Sequence, residues 1–275
     1  MTTSLPIQLY HYTSIRGVEG ILTRKAVWAS LLHFMNDSRE WLYALDLVKA
    51  ALRKRITFRE DSHWLAFIAE LTESFGRIEG LNICVFSLTE MPNQLSQWRA
   101  YCPPEGGYNL SFQPSLLQQH LDRHHFKLKQ CVYDGNEQER EIDQVVDRVL
   151  AAVGALNNES EIESAREMAL AQFARELTVV APILKHPDFR EEQGWRAFSL
   201  VTSDDPRMGY HIKGSVAIPH CVLDLQTSVL SFPISQITVG PNANQDLALR
   251  GISALGYSTG MRISASRSTT PLRNL

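Results

Sequence analysis

The sequence predicts an α+β fold, and three observations carry the prediction. Short aromatic and β-branched runs bounded by turn residues recur from one end of the chain to the other. Stretches with apolar residues at helical spacing lie between them. At Gly135 the composition shifts, and 135–184 reads as two consecutive helices before strand-like runs resume. With 275 residues, 44% of them hydrophobic and 21% charged, the chain can bury a core that needs neither disulfides nor a structural metal.

The elements follow in order. IQLYHYTS (7–14) alternates as a strand, and Ser14 caps a helix that runs to about Arg24. AVWASLL (26–32) is a short strand, and Asn36-Asp37-Ser38 opens a helix with Leu42, Leu45, Val48 and Leu52 on its apolar face. A second helix follows at about 61–76, then a buried strand, LNICVFSLTE (81–90), and a helical turn, NQLSQWRAY (93–101). After the loop PPEGG (103–107), the strands YNLSF (108–112) and FKLKQCVYD (126–134) flank a polar helix that begins at Pro114. The helix from Gly135 carries Ile142, Val145, Val146, Val149 and Leu150 on one face. Gly154 and Asn157-Asn158 break it, and Asn158 with Glu161 resembles a capping box for a second helix through about Leu184. This αα-hairpin is an insertion at 135–184 within a single domain spanning 1–275. The β runs GWRAFSLV (194–201), HIKGSVAIPHCVL (211–223) and SQITVGP (235–241) follow, then a helix at 245–255 and a last strand, GMRISAS (260–266).

Charge and motifs narrow the function classes. The 27 basic and 30 acidic residues sum to −3, which excludes the broad positive footprint of a DNA-coating protein. Apolar runs fall short of the roughly 18 residues a membrane span needs, and MTTSLPIQLY lacks the basic and apolar regions of a signal peptide. The expectation is a cytoplasmic protein with no membrane partner. Cys84, Cys102, Cys131 and Cys221 are scattered singly, as small buried hydrophobes would be. His120, His124 and His125 with Asp122 have a metal-compatible spacing but read as a solvated helix end. The dinucleotide and phosphate loops, the nucleophile elbow and the zincin motif do not occur.

Three clusters remain as candidate chemistry. In Tyr10-His11-Tyr12-Thr13, alternation puts His11 and Thr13 on one face, where an imidazole and a hydroxyl can hydrogen-bond a sugar hydroxyl. Phe86-Ser87-Leu88-Thr89-Glu90 precedes Gln97-Trp98-Arg99-Ala100-Tyr101, in which Trp98 and Tyr101, three residues apart, can flank a planar ring. Phe189-Arg190-Glu191-Glu192-Gln193-Gly194-Trp195-Arg196 offers a carboxylate at the entrance to a strand, able to stabilise a cation near His11.

These clusters, with LYHYTS (9–14), MNDSRE (35–40), VFSLTE (85–90), LSQWRAY (95–101), GGYNLSF (106–112), ITVGPNAN (237–244) and ISASRSTTPLR (263–273), make the chain resemble the bacterial family called domain of unknown function 2971. Relatives in that family often carry a second glutamate where this chain has Gly194. The N-terminal pattern is also similar to ADP-ribosyltransferases, including DarT-like toxins and the histidine-tyrosine-glutamate class. That second resemblance implies a mixed or antiparallel ADP-ribosyltransferase-like sheet and NAD as substrate. It implies His11 as ribose ligand and catalytic partner, Thr13 as its support, Ser87 as a cofactor-binding residue, Trp98 or Tyr101 as the stacking group, and Glu192 as the catalytic carboxylate. The function it implies is an NAD-dependent ADP-ribosyltransferase or NAD glycohydrolase, a toxin or phage-defence effector acting on a protein or nucleic-acid acceptor and held in check by an antidote protein. The alternative is an inactive nucleotide- or partner-binding module on the same fold. A nucleic-acid enzyme without NAD, using Arg123, Lys127 and Lys129, is a third reading.

Overall fold

The computed structural model describes residues 4–35, 39–56, 62–73, 81–154 and 159–271. Its strands are β1 (Leu9–Thr13), β2 (Ala26–Leu31), β3 (Ile83–Thr89), β4 (Tyr108–Phe112), β5 (Lys127–Gln130), β6 (Gly194–Leu200), β7 (Met208–Lys213), β8 (Val216–Asp224), β9 (Ile234–Val239) and β10 (Ser264–Arg267). The helices are α1 (Ile15–Arg24), α2 (Arg39–Ile56), α3 (Ser62–Glu73), α4 (Leu95–Tyr101), α5 (Pro114–Arg123), α6 (Gly135–Gly154), α7 (Glu159–Val180) and α8 (Gln245–Ser258). The fold is α+β with a mostly antiparallel open sheet; β9 and β10, joined through α8, are its parallel neighbours.

Local signals act where the sequence puts them. The Ser14 hydroxyl accepts from Gly17 N–H at 3.2 Å, and Pro114 opens α5. In α6 the stripe Ile142, Val145, Val146, Val149 and Leu150 is buried as expected. In α2 the buried stripe is Trp41, Ala44, Leu45, Val48, Ala51 and Leu52. Leu42 stands 51% exposed, because Trp41 takes the core-facing position and the next residue lies about 100° round the helix. The α7 helix ends at Val180, and Pro182 sits in a 3₁₀ turn over 181–183 that completes the stretch expected to be helical to Leu184. HIKGSVAIPHCVL is not one strand: Gly214, at φ +60, turns the chain between Lys213 and Val216 into a tight β7–β8 hairpin. The turn expected at Asn36-Asp37-Ser38 and the break and cap at Asn157-Asn158 lie outside the described residues.

The sheet forks at β3. One edge of β3 pairs with β6 along its whole length, from Ile83↔Leu200 to Thr89↔Gly194. The other edge is shared: Cys84 and Val85 pair with Leu31 and Ser30 of β2, while Thr89 pairs with Tyr10 of β1. Between these contacts, β1 and β2 diverge into separate arms, β1–β4–β9–β10 and β2–β8–β7.

Alternate residues of the central strands feed two cores. Cys84, Phe86, Leu88, Trp195 and Ala197 pack with α1, α5 and α8 on one face. Ile83, Val85 and Phe198 pack on the other with α2, α3, α6 and α7. The helical layer stops there, and the same face continues through Ser87, Thr89, Gly194 and Arg196 as the floor of a cleft. No described helix is long and apolar enough to cross a membrane.

Candidate functional site

The cleft lies where the arms part and measures about 500 Å³, within the roughly 300–1,000 Å³ of small-molecule sites. Tyr10, His11 and Tyr12 of β1 line it together, because β1 presents its edge rather than one face to the fork. The His11 ring bridges the gap: Nδ1 lies 2.9 Å from the Ser87 carbonyl, and the ring sits 4.7 Å from that of Phe86. A carbonyl only accepts, so Nδ1 carries the proton and Nε2 keeps its lone pair. Burial pushes the His11 pKa down, against the smaller opposing effect of the carbonyl, and the ring is neutral at pH 7.

Glu192 reaches the same cleft from a different element. It ends a 3₁₀ turn, Pro187–Glu192, at the entrance to β6; Gln193, left-handed at φ +43, then turns the chain into that strand. Thr89 Oγ1 donates to the Glu192 carbonyl, and Glu90 N–H donates to Gln193 O at 3.1 Å, so the turn is tied to the end of β3. The Glu192 carboxylate accepts from Tyr101 Oη at 2.7 Å and pairs with the buried ammonium of Lys185. Lys185 in turn lies 5.0 Å over the Phe189 ring. The result is a half-shielded carboxylate held between a phenol and an ammonium.

Tyr101 lines the cleft, whereas Trp98 does not. Trp98 is 3% exposed, packs edge-on against Tyr12 at 4.6 Å and donates from Nε1 to Asn93 Oδ1 at 2.9 Å. It turns inward because Gly240 leaves room for it: a Cβ there would stand 2.7 Å from the indole. The pair expected to form one stacking wall is therefore split between core and cleft. Thr13 also lies away from the lining, packed on Gly17 in the first turn of α1. Ser87 is in the lining, and its buried hydroxyl has no hydrogen-bond partner among the described residues, an acceptor and donor left for a ligand or water.

Sequence reasoning missed Lys185, which reaches the site because Val132 and Leu184 form a parallel bridge beside β6. It also missed a stacked group on the opposite wall, formed by Trp28, His211 and His220. The signal for that group was Gly214: read as a turn, it brings His211 beside Ile218 and within reach of His220. Among the described residues no group of three or more potential ligands is placed to hold a metal ion.

The class these features define is an α+β protein with a forked, mostly antiparallel sheet and a cleft at the fork. Residues 97–197, which include most of α4, the Lys185–Glu192 turn and most of β6, match the family described as Protein of unknown function (DUF2971), in support of the resemblance carried by the motifs. No curated protein and no solved structure matches the chain.

Proposed function

We propose that the protein uses this cleft to bind NAD as a substrate and to cleave its nicotinamide–ribose bond, passing ADP-ribose to an acceptor or to water. The observation that carries the proposal is the convergence of His11 and Glu192, far apart in sequence, on one cleft with Tyr101 bonded to the carboxylate. In that arrangement the Nε2 lone pair of His11 accepts from a ribose hydroxyl, and the Ser87 hydroxyl is a further partner for polar groups. Tyr101 flanks the pyridine ring. Glu192 faces the positive charge that develops on the ribose as the C–N bond breaks, a role worth several kcal/mol when the carboxylate is preorganised.

Nicotinamide release from NAD by the purified chain tests this, with His11→Ala and Glu192→Gln alongside. Release should fall about 100-fold or more in Glu192→Gln, the range expected for loss of one preorganised electrostatic group. Equal release by all three proteins would sink the proposal.

A second reading, nucleotide binding without turnover, draws support from Lys185. An ammonium paired with Glu192 neutralises the charge that the reaction would use. Calorimetry showing NAD binding without nicotinamide release would favour it.

A further inference from the structure

The wall of the cleft opposite Glu192 is built from the β2–β8–β7 arm. The cross-strand register Ser30↔His220↔Gly209 and the neighbouring pair His211↔Ile218 place Trp28, Ser30, His211, Lys213 and His220 on one face of it. His220 stacks on Trp28 at 4.2 Å and 22°, and His211 at 5.2 Å and 27°. The two imidazoles are 5.3 Å apart, too close to sit on opposite sides of the indole, so they share one face of it. Arg24 lies 5.3 Å over the same indole. His211 Nδ1 meets His220 Nδ1 at 3.3 Å, so one ring donates and the other accepts. His220 is buried, and His211, which lines the cleft with Lys213, is half-buried.

His211 is thus held by a stack behind it and a hydrogen bond at one edge, and it turns its remaining surface to the cleft. Burial keeps both imidazoles below their ordinary pKa, with Lys213 adding to the effect on His211. A neutral, immobilised heteroaromatic ring beside an ammonium suits a flat base linked to an anion.

We propose that this wall is a subsite for a nucleoside 5′-monophosphate unit, the base resting on His211 and the phosphate drawn to Lys213. The proposal deepens the nucleotide reading above by assigning the half of the ligand remote from His11, and it applies equally to a free mononucleotide.

The test is a titration of the full chain, with its histidines labelled with ¹⁵N, against AMP and separately against nicotinamide. Calorimetry on His211→Ala and Lys213→Gln accompanies it, with thermal unfolding to verify that both variants are folded. AMP should move the His211 ring signals, identified by their loss in His211→Ala. Its affinity should fall about tenfold in that variant, the worth of one base-stacking contact, and Lys213→Gln should lower both the affinity and its salt dependence. AMP that leaves the His211 signals in place, or that binds a folded His211→Ala as tightly as the parent, overturns the subsite. Nicotinamide release from NAD is scored on the same preparation. AMP on His211 without release rejects the transferase reading and leaves the subsite standing; release without AMP on His211 does the reverse.

Discussion

At the scale of single residues, the cleft depends on groups kept in uncommon states. His11 is held neutral by burial, and the same holds for His211 and His220. An unfolded histidine takes its proton near pH 6.5, which these folded rings resist, so stability is complete above that pH and declines as pH falls through the depressed folded values. The slope is at most about 1.4 kcal/mol per pH unit for His11 and less for the more solvated His211. Chemical denaturation between pH 7.5 and 5 should show the decline, and His11→Gln should flatten it. The thiols are shifted the other way: burial raises Cys84 and Cys102 to about 12 and Cys221 to about 11. Alkylation of the native chain at pH 8 should therefore be slow at these three positions and fast after unfolding. Gly194 has its own constraint. A Cβ there would lie 2.9 Å from Tyr133 Oη, which accepts the Gly194 N–H, and 3.4 Å from Cys131 Sγ. Gly194→Glu should cost about 1–3 kcal/mol because the buried Tyr133 must give way. Thermal unfolding of that variant measures it.

At the scale of elements, the helical hairpin is tied to the site through one buried amide. Gln138, at the start of α6, donates from Nε2 to the carbonyls of Val132 and Lys185, each at 2.7 Å, and accepts from Tyr43 Oη at 2.7 Å. The Val132 carbonyl keeps the Lys185 N–H at 3.1 Å, but Gln138→Leu leaves the Lys185 carbonyl without that donor, at about 1–3 kcal/mol. It should also loosen Lys185, so that NAD affinity, read by calorimetry, changes along with the melting temperature. The types of most elements were legible in the sequence because their causes are local: the Ser14 cap, Pro114 at the start of α5, and the stripe from Ile142 to Leu150. What was not legible was set by distant partners. Trp98 turns inward because Gly240, far along the chain, vacates the space. The run 211–223 is the exception: its division has a local cause, Gly214, which folds it on itself. Of the site, His11, Ser87, Tyr101 and Glu192 could be named from sequence. Lys185 could not, since only tertiary pairing brings it there, and of the Trp28–His211–His220 wall only the His211–His220 pair was signalled, by the turn at Gly214.

At the scale of the whole molecule, β3 and β6 send alternate side chains into both cores, so neither core keeps its wall if the other melts. A single cooperative unfolding transition is expected, with near-ultraviolet and far-ultraviolet signals coinciding. Two separated transitions would mean that the helical layer unfolds on its own. Asn93, which holds the Trp98 indole of α4, carries a further consequence. Asn93 accepts from Trp98, Ser268 and Thr270 through Oδ1 and donates to Thr269, so the segment after β10 is fastened just ahead of the helix that bears Tyr101. His11 leaves the ribosome well before residues 268–270, so one flank of the cleft waits for its fastening until that segment has been made and seats on Asn93.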